Sequence, residues 1–115
     1  MSRNLFGDKV LSNTPIKTVS STSYTFVLSD NCTQIRFTNE ASVTATIPLN
    51  STTAFPVGSQ IDVVQDGAGK VTIDGAVGVT ILSKSSNKST AAQYVGITLV
   101  KVGTDTWNLF GDLVA

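Results

Sequence analysis

Side chains that could carry out chemistry are scarce in this sequence of 115 residues. It contains no histidine and a single cysteine, Cys32, so it offers neither a cysteine–histidine pair for nucleophilic catalysis nor a ligand set for zinc. Cys32 has no second cysteine with which to form an intrachain disulfide, and we predict that it is a buried or half-buried structural thiol. Stability must then come from packing.

The carboxylates near predicted strands are Glu40, Asp62, Asp66 and Asp74. Acid–base catalysis usually needs two titratable groups held in one pocket, and no spacing among these four favours such a pair. Asp66 and Asp74 each precede a glycine, which is typical of turns. The segment 66–69 offers one carboxylate, far fewer oxygens than a calcium loop. We therefore predict that the protein is not an enzyme and needs no metal ion or cofactor.

Aromatic side chains leave one binding chemistry open. Tyr94, Trp107 and Phe110 could form a platform on which a glycan stacks. Trp107 lies among apolar neighbours on a predicted strand, which favours a place in the core. Phe110 is equally compatible with core and surface, and Tyr94 could point either way. Glycan contact is therefore a minor alternative.

The charge balance argues against two classes of partner. Eight basic and eight acidic residues give a net charge of zero, and no basic cluster suggests nucleic-acid binding. No segment is long and apolar enough to suggest a membrane span, and residues 1–13 do not resemble a signal peptide. A near-neutral protein has little charge repulsion against self-association, which suits a protein that assembles.

From Tyr24 onward the sequence consists of short alternating segments separated by turn residues. The turn signals are mostly spaced about 8–12 residues apart, which is typical of a sandwich or barrel. We predict an all-β fold: a single-domain antiparallel β-sandwich or flattened barrel of about 7–9 short strands. The β domain is predicted to span residues 23–115.

Two hairpins are predicted inside this domain. Residues 94–103 form the longest aliphatic run, and the chain returns from it through residues 106–113. The run is apolar on both faces, which predicts a central strand covered on each side. The glycine-rich segment 66–69 predicts a tight hairpin loop that joins strands 60–65 and 70–74.

Residues 1–22 are predicted to form an extended N-terminal arm. The segment has weak periodicity and cannot build a core alone, yet it carries small apolar islands. These islands favour an arm that becomes ordered against a neighbour over a loose tail. The candidate contact residues of the arm are Leu5, Phe6, Val10, Leu11, Ile16 and Val19.

A series of short motifs carries a resemblance to a known family. In chain order they are 24–30 (YTFVLSD), 35–39 (IRFTN), 46–49 (TIPL), 55–61 (FPVGSQI), 67–73 (GAGKVTI), 78–81 (GVTI), 99–107 (LVKVGTDTW) and 111–113 (GDL). This ordered set resembles the small β domains of tailed-bacteriophage virion proteins. Those domains occur at the ends of tail fibres and as capsid-decorating subunits.

The resemblance implies a virion structural protein that assembles as a homotrimer. Because only the short arm precedes the domain, it favours a capsid decoration (cement) protein over a tail or tail-fibre component or a receptor-binding module. The implied partners are other copies of this chain and the major capsid protein. The implied location is the outside of the phage head, after synthesis in the host cytoplasm without a signal peptide.

Overall fold

A computed structural model describes residues 13–115 of the chain. Leu5, Phe6, Val10 and Leu11 of the predicted arm lie outside the described residues. The regular secondary structure of the described part is nearly all β-strand, so the predicted all-β fold is confirmed. Its strands are β1 (Ile16–Val19), β2 (Ser23–Thr25), β3 (Thr33–Phe37), β4 (Val43–Ile47), β5 (Gln60–Gln65), β6 (Val71–Gly75), β7 (Thr80–Leu82), β8 (Ser89–Thr90), β9 (Gly96–Gly103), β10 (Thr106–Gly111) and β11 (Leu113–Val114).

The strands form two sheets that pack compactly against each other. Sheet A has six strands in the order β1-β3-β5-β9-β10-β7, and sheet B has five in the order β11-β8-β6-β4-β2. The eleven strands exceed the predicted seven to nine, because β1, β8 and β11 are two to four residues long and too short for a clear period.

Pairing within the sheets is mixed, whereas the sequence predicted an antiparallel sandwich. Five pairs are parallel, namely β1–β3, β3–β5, β2–β4, β4–β6 and β7–β10. From β1 to β9, each strand is followed by a strand in the opposite sheet. Because the chain crosses between sheets at each turn, two successive strands of one sheet can run in the same direction.

The predicted hairpin at residues 66–69 is therefore wrong. β5 lies in sheet A and β6 in sheet B, so the segment crosses from one sheet to the other. It lies directly on the crossover from β3 to β4: Asp66 N–H donates to Phe37 O at 2.8 Å, and Gly69 N–H donates to Asn39 O at 3.0 Å. The glycines are needed for this close approach, since a β-carbon on Gly67 would lie 2.6 Å from the Thr38 carbonyl carbon.

The predicted terminal hairpin is confirmed, since β9 and β10 pair antiparallel and β9 lies centrally between β5 and β10. The prediction that both faces of β9 are covered is wrong. Ile97 and Leu99 are buried against sheet B, whereas Val102 on the other face is 50% exposed. β9 is thus central within its sheet and open to solvent on its outer side.

The core lies between the sheets and is filled by alternating inward residues. Ile35 and Phe37 are buried as their strand pattern predicted. Tyr24 packs edge-on against Phe37, with ring centroids 5.7 Å apart. The largest fully buried side chains are Trp107, Phe26, Phe37, Ile35, Ile47, Ile61, Ile73, Ile97, Leu99 and Leu109. Such a continuous aliphatic and aromatic core gives the domain its rigidity.

Cys32 differs from its prediction as a buried or half-buried thiol. It is exposed, and its backbone lies in the left-handed region with φ of 62°. The reason is local: Cys32 occupies the turn between a 3-10 helical turn, Leu28–Asp30, and strand β3. Turn positions of this kind lie at the surface.

Candidate functional site

The three aromatic residues predicted as a glycan platform do not lie together. Trp107 is 1% exposed and packs edge-on against Phe55 at 5.3 Å between centroids, so it belongs to the core and cannot stack on a ligand. Tyr94 and Phe110 are exposed. Phe110 lies opposite Thr98 of β9, whereas Tyr94 lies before β9 begins, four residues earlier in the chain than Thr98.

The described residues of the predicted arm belong to sheet A. Ile16–Val19 forms β1, which pairs in parallel with β3 and makes one edge of the sheet. Val19 is buried in the core, whereas Ile16 is exposed. Of these two candidate contact residues, only Ile16 is accessible to a partner.

Three of the carboxylates that the sequence raised as possible acid–base groups have local structural roles. Asp62 accepts a hydrogen bond from Thr98 Oγ1 at 2.9 Å. Asp66 forms an ion pair with Arg36 at 2.9 Å, and Asp74 accepts a bond from Gly75 N–H at 2.9 Å. Within residues 13–115, no group of three or more cysteine, aspartate or glutamate side chains is arranged to hold a metal ion.

A partly buried cluster that sequence reasoning missed joins the two sheets at one edge. Asp30 is 1% exposed and accepts hydrogen bonds from Tyr24 OH at 2.7 Å, Lys17 Nζ at 3.0 Å and Val27 N–H at 2.9 Å. Lys17 Nζ also donates to Tyr24 OH at 2.6 Å. Lys17 lies on β1, an edge strand of sheet A, and Tyr24 lies on β2, an edge strand of sheet B. This Asp30 cluster therefore links the two sheets at their edges.

The pKa shifts of Lys17 and Tyr24 in the Asp30 cluster predict that stability falls at alkaline pH. The hydrogen bond to Tyr24 raises the pKa of Lys17 above 10.5, helped by Asp30 and opposed by burial. Burial raises the pKa of Tyr24 above 10.0. Both groups hold their protons more tightly in the folded state, so their contribution is complete below about pH 10 and is lost as pH rises through the folded values.

We therefore expect the urea midpoint of the wild type to fall between about pH 9 and pH 11.5, and that of Lys17→Met to fall less over the same range. Lys70→Met, which removes an exposed lysine, is the matched control and should follow the wild type. An equal alkaline loss in wild type and Lys17→Met would contradict this role for the cluster.

A second buried charge holds the loop that follows β4. Lys101 is 2% exposed, and its Nζ donates to Asn50 Oδ1 at 2.6 Å and to the backbone oxygen of Phe55 at 2.7 Å. No carboxylate among residues 13–115 forms an ion pair with it. Because Lys101 alternates with Ile97 and Leu99, the sequence could have predicted that its side chain points inward. That prediction is not the obvious one, because a lysine is rarely buried without a charged partner.

Replacing Lys101 with methionine should destabilise the fold by about 1–3 kcal/mol, because the buried Phe55 carbonyl loses its donor. Urea unfolding measures the loss, and hydrogen exchange should rise in residues 50–58. Lys70→Met changes an exposed lysine in the same way and should leave both measurements near wild type. A Lys101→Met protein with wild-type stability and unchanged hydrogen exchange in residues 50–58 would show that Lys101 does not hold this loop.

The outer side of sheet A carries an accessible apolar surface. Leu82 of β7, Val100 and Val102 of β9, and Phe110 of β10 form this outer apolar face. Leu82, Val102 and Phe110 are 47%, 50% and 48% exposed. Asn108 of β10 lies between Leu82 of β7 and Val100 of β9 and is paired with both.

The positions that share this side of β7, β9 and β10 carry no charge. Besides the four apolar residues they are Thr80, Gly96, Thr98, Thr106 and Asn108. The Asp62 carboxylate of the neighbouring strand β5 accepts a hydrogen bond from Thr98 at the edge of this area, and the charged pair Arg36–Asp66 lies with β3 and the end of β5, in the other half of the sheet. An uncharged apolar area on a rigid sheet suits docking to another macromolecule and offers no group for catalysis.

A groove of about 410 Å³ adjoins the outer apolar face where β7 ends and β10 continues. Leu82 and Phe110 belong to both the face and the groove, and Lys84 lies on its rim. Ser83 Oγ is buried there without a hydrogen-bond partner among the described residues. This β10 groove is lined by Leu82, Ser83, Lys84, Asn108, Leu109, Phe110, Gly111 and Leu113.

The described residues include no helix that is long and apolar enough to cross a membrane. Comparison of the sequence with family models finds no match, and comparison with curated proteins finds none either.

Proposed function

We propose that the protein is a structural subunit of a tailed-bacteriophage virion, most specifically a capsid decoration protein on the outside of the head. The outer apolar face is the observation that carries the proposal, because it gives a rigid sheet an uncharged surface for protein contact. The ordered series of motifs that resembles phage virion β domains supplies the choice of partner, the major capsid protein.

The proposed mechanism is the burial of apolar surface that would otherwise face water. Covering about 300 Å² of apolar surface contributes about 7 kcal/mol at roughly 25 cal/mol per Å². Association costs about 4–15 kcal/mol, so one such contact alone gives weak binding. Assembly as a homotrimer would present three faces at once, and the resulting effective concentration turns weak contacts into stable attachment.

The arm is proposed to add to this contact once the subunit is on the capsid. Leu5, Phe6, Val10 and Leu11 are its apolar residues outside the described part, and Ile16 is the exposed residue at its junction with sheet A. The proposal includes no catalytic step, no nucleic acid and no cofactor.

Co-sedimentation with undecorated phage heads tests the proposal. Phe110→Asp places a charge in the outer apolar face, where burial without a partner is costly, and should weaken binding at least about tenfold. The thermal midpoint should stay near wild type because Phe110 is half exposed. Val77→Asp is the matched control, since Val77 is 96% exposed in the turn between β6 and β7. Wild-type binding by Phe110→Asp would reject the face as the contact.

A receptor-binding role on a tail or tail fibre is the second candidate. The observation that favours it is the exposure of Tyr94, which is 69% exposed and held at a positive φ of 68° just before β9. Glycan-array binding that disappears in Tyr94→Ala, with unchanged folding, would support this role over decoration. An array without any bound glycan would remove it.

A further inference from the structure

We propose that the protein cross-links its own two sheets through an isopeptide bond between the side chains of Lys101 and Asn50. Lys101 lies on β9 of sheet A, and Asn50 follows β4 of sheet B. The bond forms after folding, from the hydrogen-bonded pair that holds the loop after β4. This inference concerns the described domain alone and does not depend on what its partner is.

The two side chains lie close enough to react. Lys101 Nζ donates to Asn50 Oδ1 at 2.6 Å. Because an amide C=O bond is about 1.23 Å long, Nζ lies no more than about 3.8 Å from the amide carbon of Asn50. Reacting atoms held about 3–3.5 Å apart gain most from proximity, so the lysine needs at most a small rotation to attack.

Neighbouring groups hold both partners in place. The backbone oxygen of Phe55 accepts a second hydrogen bond from Lys101 Nζ at 2.7 Å. Asn50 N–H donates to Asp105 Oδ1, also at 2.7 Å, and Asp105 lies in the turn between β9 and β10. The pair therefore has little freedom left to lose when it reacts, which lowers the entropy cost of the step.

The surroundings of the pair keep out water and competing charges. Lys101 is 2% exposed, and its cross-strand neighbour on β10 is Trp107, which is buried and packs edge-on against Phe55. In the described part of the chain no carboxylate forms an ion pair with Lys101, so none competes with Asn50 for the amine. Water, which would hydrolyse the Asn50 amide instead, has little access to it.

The reaction needs no co-reactant. A lysine amine is nucleophilic only when neutral, so Lys101 Nζ first gives one proton to solvent and then attacks the amide carbon of Asn50. The bond from that carbon to the amide nitrogen breaks. The departing nitrogen takes one further proton from Nζ and leaves as ammonia. One amide bond replaces another, and nothing is oxidised or reduced.

The cross-link closes a covalent loop over residues 50–101 and joins β9 to the end of β4. A covalent loop restricts the unfolded chain, as a disulfide does, and so stabilises the fold. Because Cys32 is the only cysteine, the chain has no intrachain disulfide that could do this. The isopeptide bond would supply the missing covalent link between the sheets.

Mass spectrometry of the full chain tests the proposal. Purified protein is kept for several days at about pH 9, where more of a lysine's amine is neutral than at pH 7. We expect most chains to lose the mass of one ammonia molecule. Trypsin does not cleave at an acylated lysine, so digestion should release a branched peptide that joins residues 37–70 to residues 89–115.

Two variants identify the bond. Asn50→Ala and Lys101→Arg should show neither the mass loss nor the branched peptide. Lys70→Arg makes the same change at an exposed lysine, so it is the matched control and should react as the wild type does. A wild type that yields only separate linear peptides would overturn the proposal. A mass loss that persists in either variant would also overturn it, because the ammonia would then come from cyclisation of another side chain.

Discussion

Replacing Gly69 with alanine should destabilise the protein by about 3 kcal/mol or more. A β-carbon there would lie against the Ala41 carbonyl group, 2.5 Å from its carbon, and 2.8 Å from Asn39 O. Overpacking usually costs about 1–3 kcal/mol where side chains can shift, and here the obstacle is backbone of the adjacent crossover. The change would also disturb the hydrogen bond from Gly69 N–H to Asn39 O. Urea unfolding measures the loss.

Gly96→Ala provides the matched control for this prediction. Its β-carbon would meet nothing closer than Val64 Cγ2 at 3.8 Å, an ordinary contact, and alanine suits a strand better than glycine. We expect its stability to stay within about 1 kcal/mol of wild type. If Gly69→Ala were equally benign, the close stacking of the two crossovers would be wrong.

Replacing Trp107 with alanine should cost about 3–5 kcal/mol, the usual loss for a large aromatic residue removed from a core. Trp107 is 1% exposed and lies in edge-to-face contact with Phe55, at 5.3 Å between ring centroids. Because a small domain is stable by only about 5–15 kcal/mol, this loss is a large part of the total, and the variant should unfold at a much lower temperature than the wild type.

Phe110→Ala tests the same strand on its opposite side. Phe110 is 48% exposed on the outer apolar face, so the loss of stability should be below about 1.5 kcal/mol. Calorimetry of both variants gives the comparison. A Trp107→Ala protein that remained fully stable but lost glycan binding would contradict the buried position of Trp107 and restore its role as a ligand platform.

Local alternation predicted the parts of the fold that depend on one strand at a time. The inward positions of Ile35 and Phe37 follow from a period of two, and the Gly103–Thr106 reversal between β9 and β10 follows from turn composition. The core position favoured for Trp107 follows from its apolar neighbours. These signals are local, and the structure confirms each of them.

The partners of the strands could not be predicted in this way. Glycines at 67 and 69 fit a tight hairpin and a crossover between sheets equally well, and only long-range packing distinguishes the two. The same limit applies to the Asp30 cluster, whose members come from β1, β2 and a 3-10 turn. The outer apolar face needs the sheet order as well, since Leu82 and Phe110 line one groove only because β7 pairs with β10.

The proposed role needs no reactive side chain. Asp62, Asp66 and Asp74 are engaged with neighbouring groups, and Lys101 holds a loop inside the fold. What the described domain leaves available is shape and uncharged apolar surface on a rigid sheet. Such a surface suits attachment to a large assembly, where many copies compensate for the weakness of each contact.

Immunogold electron microscopy of phage particles from the host that carries this sequence tests the central proposal most directly. Antibody raised against residues 13–115 should label the outside of the heads at many positions on each particle. Label on tail tips alone would replace decoration by the tail or tail-fibre role. Unlabelled particles, with the protein left in the supernatant, would contradict a virion role altogether.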